Sequence, residues 1–199
     1  MQDITDKIFL KEGDSFEGSI KKYIRRITEG FKPDEDIIAC IFIKKDNEVT
    51  INALSGGFFE DVEAKNKLAY AVLPTIILAQ NCDQIAFFKA VWMVQMKKGE
   101  YDTSVVPSEH PDRVEGIMLD IGDVESMKSY FAKIARRPIL PPILGEFELL
   151  PGTPEGRMYD PLIDALNFNR NPTRDLGAKI IINALSKITL HDKVELKKI

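Results

Sequence analysis

The sequence predicts an α+β fold: an antiparallel sheet of about five to six strands, with helices packed on one face and a helical C-terminal extension. Two observations lead to this prediction. Segments with apolar residues at helical spacing are separated by shorter runs rich in β-branched residues. The strands after the second helix follow one another closely, which favours antiparallel pairing. The composition shifts after residue 151, so we expect a core domain over 1–151 and a helical extension over 152–199, which packs on the core or on a neighbouring subunit.

The first helix is predicted over residues 13–31. Its apolar residues recur at helical spacing, and they are Phe16, Ile20, Ile24, Ile27 and Phe31. Asp14 followed by Glu17 fits a capping box at the start of this helix. Two strands follow over 36–45 and 49–54, and the short polar turn between them predicts a β-hairpin.

A second helix is predicted over residues 61–81. Its second half is apolar nearly all round, which places it in the core or under a partner. Pro74 would kink or split this helix, because proline lacks the backbone N–H that an inner helical turn needs. A long, mostly apolar strand is predicted over 83–96.

A long loop over residues 97–112 precedes the rest of the sheet. Loops of this length are uncommon in compact domains and are more often functional or mobile. Three further strands are then predicted over 113–123, 126–137 and 144–151. A hairpin turn is expected between the first two of them.

The C-terminal extension contains two predicted helices, over 160–168 and 173–188. Asp160 is expected to cap the first, with Pro161 at its first helical position, and Thr173 is expected to cap the second. The apolar stripe of the second helix comprises Leu176, Ile180, Ile181, Ala184, Leu185 and Ile188. Residues 189–199 form a charged tail.

Composition limits the class of protein. The chain has 199 residues and a net charge of −4 with both signs interspersed, so binding to nucleic acid is not expected. Cys40 and Cys82 lie in or beside apolar runs without a C-x-x-C motif, which is typical of reduced core thiols. The first residues are too charged for a signal sequence, and the longest apolar run, 68–79, is too short to span a bilayer. We therefore expect a cytoplasmic protein that is not embedded in a membrane.

The strongest candidate site is the segment PSEHPDRVEG, residues 107–116. His110 would serve as a general base, because the unperturbed pKa of histidine lies near neutrality. Arg113 would hold a phosphate or carboxylate, and Asp112 or Glu109 would orient the histidine. The alternative is structural: two prolines stiffen the loop, Asp112 closes a turn, and Arg113 pairs with a neighbouring acid.

The region from 85 to 150 resembles a group of small uncharacterised proteins from bacteria and their phages. The resemblance rests on the strand FKAVWMV, followed by a variable loop and the HPDR tetrapeptide between strands. It implies that Trp92, His110, Asp112 and Arg113 belong to one feature, with Arg113 and Trp92 as candidate ligand contacts. No activity is implied by the resemblance.

Three other patterns favour structure over chemistry. The Gly-Gly turn at 56–57 precedes a helix, as anion sites do, but it lacks a phosphate-loop motif and is followed by acids. The carboxylates of Asp120, Asp123 and Glu125 do not match a calcium-binding loop and fit a hairpin turn. The phenylalanines and Trp92 fit core packing better than an RNA-binding platform. We expect neither a metal site nor a cofactor.

The function predicted from these patterns is binding. The protein would act as a homo-oligomer, because the helix at 68–79 and the C-terminal helices offer more apolar surface than a small sheet needs. Its partner, a protein or a small ligand, would meet the loop at 97–113, and the resemblance allows a role as a phage or mobile-element accessory factor. The alternative is an enzyme acting on a phosphorylated or nucleotide substrate, with His110 as base and Arg113 as anion holder.

Overall fold

The fold is an antiparallel sheet with helices on both of its faces. In a computed structural model of the chain, residues 5–33, 35–59, 61–94, 108–152 and 159–187 are described. Residues 95–107, which include most of the predicted loop, and the predicted tail 189–199 lie outside the described residues.

The N-terminal part contains one helix and three strands. They are β1 (Thr5–Phe9), α1 (Phe16–Thr28), β2 (Cys40–Lys45) and β3 (Glu48–Ala53). The β2–β3 hairpin is confirmed, and its turn places Asp46 at a φ of 53°, a left-handed conformation that aspartate tolerates. The strand β1 was not predicted; it pairs with β3 at the edge of the sheet.

The start of α1 corrects one prediction. The N-cap is Ser15, whose Oγ accepts a hydrogen bond from the Gly18 N–H at 3.1 Å. The side chain of Asp14, expected to be the cap, instead accepts from the Lys11 N–H at 3.1 Å and so closes the preceding turn. The predicted capping box is therefore wrong.

The predicted second helix is one helical segment with an irregular centre. It consists of α2 (Val62–Lys67), a π-helical turn (Leu68–Val72) and α3 (Leu73–Gln80), preceded by a 3-10 turn (Gly56–Phe59). The π-helical turn ends at Val72, two residues before Pro74, which lies in the first turn of α3, where a missing backbone N–H costs least. The helical segment therefore continues through Pro74, with its irregular turn just before it.

The remaining elements complete the sheet and add two helices. They are β4 (Gln84–Met93), β5 (Val114–Gly122), β6 (Met127–Ala135), β7 (Ile143–Leu144), β8 (Glu148–Leu149), α4 (Tyr159–Arg170) and α5 (Arg174–Lys187). The single strand predicted over 144–151 is wrong, because this stretch contributes two short strands that both pair with β6. Thr173 caps α5 as predicted, through the Leu176 N–H. Because α4 begins at Tyr159, Asp160 lies in its first turn and not at the cap.

The strand order is β1-β3-β2-β4-β5-β6-β7, with β8 also on β6, and every pairing is antiparallel. The α+β class is confirmed. The sheet has eight strands, more than the five to six predicted, because β1 was missed and the last strand is divided.

Two apolar layers enclose the sheet, which corrects the expectation of helices on one face. Side chains of β2 and β4 alternate between them, with Phe42 and Phe88 facing α1, and Ile41 and Phe87 facing the layer of α3 and α4. Each of these side chains is at most 1% exposed. A fully buried side chain of this size contributes about 1.5–3 kcal/mol.

The C-terminal helices pack on their own chain. Leu162, Ala165 and Leu166 of α4 join the same buried layer as α3. The Asn169 side-chain amide donates to the Ile77 carbonyl oxygen at 2.9 Å, and the Lys179 Nζ lies 2.7 Å from the Asp164 Oδ1, which ties α5 to α4. The apolar surface of α3 is thereby covered within the chain. In the described part of the chain, no helix has both the length and the apolar character needed to cross a membrane.

Candidate functional site

A cleft opens where β2 and β4 part. Their pairing ends at Cys40 and Phe88, yet β4 continues to Met93. Beyond this point the segment 36–39 faces β4 across a cleft of about 880 Å³. Within the described residues, no strand pairs with Lys89–Met93 on the cleft side.

Apolar and aromatic side chains form much of the cleft wall. Trp92 lies on β4 and is 43% exposed, while Phe59 lies in the 3-10 turn before α2. The Phe59 ring stacks on the buried Phe87 ring, with centroids 6.5 Å apart and planes at 17°. Leu54 and Leu68 also line the cleft. Phe59, Leu54 and Leu68 belong to the layer of α3 and α4, and they suit the flat face of a ligand ring, whereas Trp92 projects from the opposite face of β4.

One cation of the cleft is already neutralised. Arg136 binds the Glu115 carboxylate through Nε, at 3.1 Å from both oxygens, and through Nη2 at 2.7 Å. The Nη1 group donates to the carbonyl oxygens of Pro33 and Glu35 at 3.2 and 2.8 Å. Arg136 therefore fastens the chain before β2 to the end of the sheet and holds one side of the cleft in place.

Two further cations line the cleft, Lys65 from α2 and Lys89 from β4. Both are partly buried, and the side chain of neither one makes a hydrogen bond or an ion pair with a described residue. Asp36, which is exposed, is the remaining charged residue in the described lining. With Arg136 and Glu115 paired, the described lining of the cleft has one more positive than negative charge, from Lys65 and Lys89 against Asp36.

Lys89 lies in an unusual environment for a lysine. Its Nζ is 5.0 Å from the centroid of the Phe87 ring. Burial lowers the pKa of Lys89, and the negative charge of Asp120 opposes this shift. Asp120 belongs to β5, and it faces the same side of the sheet, because Lys89 pairs with Met118 two residues away.

Asp120 is the centre of a buried polar cluster with Ser129 and Tyr159. The Ser129 hydroxyl donates to the Asp120 Oδ1 at 2.5 Å, and the two residues are 8% and 1% exposed. The Tyr159 hydroxyl is hydrogen-bonded with both side chains, and burial, reinforced by the Asp120 charge, raises the pKa of Tyr159. This cluster connects the start of α4 to β5 and β6.

The segment 108–113 forms a compact turn. The His110 Nδ1 accepts a hydrogen bond from the Asp112 N–H at 3.1 Å, and the Arg113 N–H donates to the His110 carbonyl oxygen at 3.2 Å. His110 is partly buried, whereas Glu109, Asp112 and Arg113 are exposed. His110, the candidate general base, therefore uses its Nδ1 atom to stabilise this turn.

One pair within the predicted feature is in contact. The Arg113 guanidinium lies 5.0 Å from the Trp92 ring, so these two candidate ligand contacts are neighbours. The feature predicted from the resemblance comprises Trp92, His110, Asp112 and Arg113, and of these only Trp92 is in the described lining of the cleft. Ser108, from the segment 107–116, also lines the cleft. The cleft and the predicted feature therefore share Trp92.

Asp120, Asp123 and Glu125, the three acids at or near the β5–β6 turn, make different interactions. Asp120 is buried in the polar cluster, and Glu125 pairs with Arg170 at 3.0 Å. The Asp123 Oδ1 accepts from the Glu125 and Ser126 N–H groups at 2.9 and 3.1 Å. Burial alone would raise the pKa of Asp123, but these hydrogen bonds outweigh it and lower the pKa. Asp123 closes the turn.

The described residues contain no group of three or more His, Cys, Asp or Glu side chains that could hold a metal ion. Cys40 and Cys82 are buried free thiols. Burial raises the pKa of Cys40 to about 11 and that of Cys82 to about 12, so both remain protonated at neutral pH.

Sequence reasoning did not single out Lys65, Lys89 or Tyr159. A signal was present for Lys89, because an isolated lysine interrupts the apolar strand IAFFKAVW, and lysine is seldom buried without a purpose. The position of Asp120 within GIMLDIG is a similar signal. For Lys65, a partly buried lysine of an amphipathic helix, no sequence signal distinguishes it from its neighbours.

No protein-family model, curated protein or solved structure matches the chain. The resemblance to the bacterial and phage group with an HPDR loop therefore stays a prediction.

Proposed function

We propose that the chain is a binding protein whose cleft takes a small anionic molecule with a flat ring. The observation that carries this proposal is the presence of Phe59 beside Lys65 and Lys89 in one cleft, with Trp92 lining the same cleft from the opposite face of β4. Aromatic walls with a few convergent polar groups are the usual composition of a ligand site. A carboxylate or phosphate supplies the charge that these lysines leave unmatched.

The two parts of the ligand have different physical roles. A ring against Phe59, on the same face of the sheet as Lys89, removes apolar surface from water, which contributes affinity. The anionic group contributes both affinity and orientation, since a hydrogen bond to a charged partner stabilises by about 1.5–3 kcal/mol. Loss of one lysine contact should therefore weaken binding by about tenfold or more.

Calorimetric titration with adenosine monophosphate and with adenosine tests this function, because the two share a ring and differ in the phosphate. Binding of the monophosphate with little binding of adenosine supports it. Lys65→Ala should weaken that binding, while Lys67→Ala, on the same helix but outside the described cleft lining, should leave it unchanged. Equal binding of adenosine and its phosphate, or equal effects of the two variants, would contradict the proposal.

Self-association accompanies this function as an expectation. Apolar side chains remain exposed beside β7 and β8, and they are Ile139 at 86%, Leu140 at 50%, Ile143 at 51% and Leu149 at 59%. We expect a homo-oligomer because these exposed apolar side chains could be buried between two copies of the chain. The surface of α3 no longer supports this expectation, because α4 covers it. The protonated buried thiols are in keeping with action in the cytoplasm.

The enzyme alternative, with His110 as base and Arg113 as anion holder, stays a prediction. We favour binding because Lys65 and Lys89 line the cleft, whereas the described lining does not include His110 or Arg113.

A further inference from the structure

The environment of Lys89 differs from that of a lysine that only attracts an anion. Its side chain is partly buried, lines the cleft, and lies against the Phe87 ring. Lys65 reaches the same cleft from α2. One lysine can thus hold the anionic group of a ligand while the other meets a different part of it.

We propose that the Lys89 amine captures a carbonyl group of the cleft ligand as an imine. The ligand class is then a flat, anionic aldehyde or ketone. This inference rests on the proposed function, since it assigns the reactive group of the molecule that the cleft would bind.

The reaction balances without any oxidant or reductant. The neutral Lys89 amine attacks the carbonyl carbon, and its lone pair forms the new C–N bond while the carbonyl oxygen takes up a proton. The nitrogen loses a proton to solvent, the protonated hydroxyl leaves as water, and the C=N bond forms. One amine and one carbonyl give one imine and one water molecule.

The surroundings favour each stage of this reaction. A neutral amine is required for attack, and burial lowers the pKa of Lys89, which raises the neutral fraction at a given pH. The protonated imine is a cation, and the Asp120 carboxylate lies on the same side of the sheet. The other charged residues in the described lining of the cleft are Lys65, Asp36 and the Glu115–Arg136 pair, and Tyr159 is hydrogen-bonded to Asp120.

Pyridoxal phosphate is a suitable probe, because it combines a flat ring, a phosphate and an aldehyde. The full chain is incubated with a limiting amount of the probe, reduced with borohydride, digested, and mapped by mass spectrometry. Lys89 should carry severalfold more label than the exposed Lys67 and Lys133, and excess pyridoxine phosphate, which lacks the aldehyde, should suppress that label. Label spread over exposed lysines with little on Lys89 would overturn the inference.

Variants separate this inference from the binding proposal. Lys89→Arg keeps the positive charge but cannot form an imine, so it should lose the labelled peptide. Lys67→Arg, outside the described cleft lining, should keep the label on Lys89 and bind pyridoxine phosphate as the parent does. Binding of pyridoxine phosphate without label on Lys89 overturns the imine and leaves the binding function in place. Absence of both binding and label overturns both. Wild-type mapping decides the matter even if Lys89→Arg fails to fold.

Discussion

The Lys89 Nζ lies 5.0 Å from the centroid of the Phe87 ring, two residues earlier on the same face of β4. Phe87 is 1% exposed, so this ammonium group is drawn against the wall of the apolar layer that contains α3 and α4. Burial of a charge without an ion pair costs free energy, and a protein retains such a group where it has a use. The contact between Lys89 and Phe87 thus places a partly desolvated amine in the lining of the cleft.

Replacement of Lys89 by methionine should increase the free energy of unfolding at neutral pH, because a buried charge is removed and its apolar volume is kept. The pKa of Lys89 is lowered in the folded protein, so the unfolded state binds more protons as pH approaches about 10.4. Stability contributed by this group therefore rises with pH across that window. Urea unfolding of both proteins over the window measures the difference.

The gain from Lys89→Met should accordingly shrink as pH rises. Tyr159 acts in the opposite direction above about pH 10, because its pKa is raised in the folded protein, but it is common to both proteins and cancels in the comparison. A stability difference that stays constant with pH would mean that Lys89 is not desolvated.

Asp120→Ala should destabilise the protein by about 2 kcal/mol or more, because the buried hydroxyls of Ser129 and Tyr159 lose their acceptor. Asp120→Asn should cost less, since its side-chain oxygen still accepts. Asp112→Ala, at an exposed turn, serves as the control and should change stability by less than about 0.5 kcal/mol. Denaturant unfolding measures the free energy of unfolding of each variant. Equal effects of Asp120→Ala and Asp112→Ala would show that the polar cluster does not stabilise the fold.

His110→Ala should leave ligand binding in the cleft unchanged and alter stability by less than about 0.5 kcal/mol, because the histidine contributes one hydrogen bond to a surface turn. Calorimetric titration and thermal unfolding check both points. Loss of binding or of a catalysed reaction, with the fold intact, would instead favour the enzyme alternative.

Self-association should be sensitive to the exposed apolar positions beside β7. Ile139→Lys places a charge where the side chain is 86% exposed, so it should lower the average mass measured by light scattering without unfolding the chain. Lys133→Glu, on the neighbouring strand β6, is a control for a change of charge alone. If the parent protein is monomeric in dilute solution, the expected homo-oligomer does not form.

Much of the fold follows from local patterns, and the departures have physical causes. The periodicity of α1 and the alternation in β3 are local features, so both elements were predicted. β1 was missed because TDKIF is short and polar, and its pairing with β3 depends on contacts distant in sequence. Ser15 replaced Asp14 as cap because the Asp14 side chain was already used in a turn.

The cleft was less accessible to sequence reasoning than the fold. It exists because β2 leaves β4 at Cys40, and the register of two strands is a tertiary property. The residues that meet there come from separate elements, with Lys65 on α2 and Trp92 on β4. The position of Trp92 before the HPDR segment made it a candidate from sequence, whereas its place in the lining of the same cleft as the two lysines required the structure.

The most direct measurement is a fluorescence titration of Trp92, which is the single tryptophan of the sequence and lines the cleft. The protein is titrated with adenosine monophosphate, pyridoxine phosphate and nicotinate, with excitation that avoids tyrosine. We expect a saturable change in Trp92 emission with at least one of these flat anions, and this change should be weakened by Lys65→Ala and unaffected by Lys67→Ala. A flat response to all three, or a response equally strong in Lys65→Ala, would contradict the assignment of the cleft as an anion-binding site.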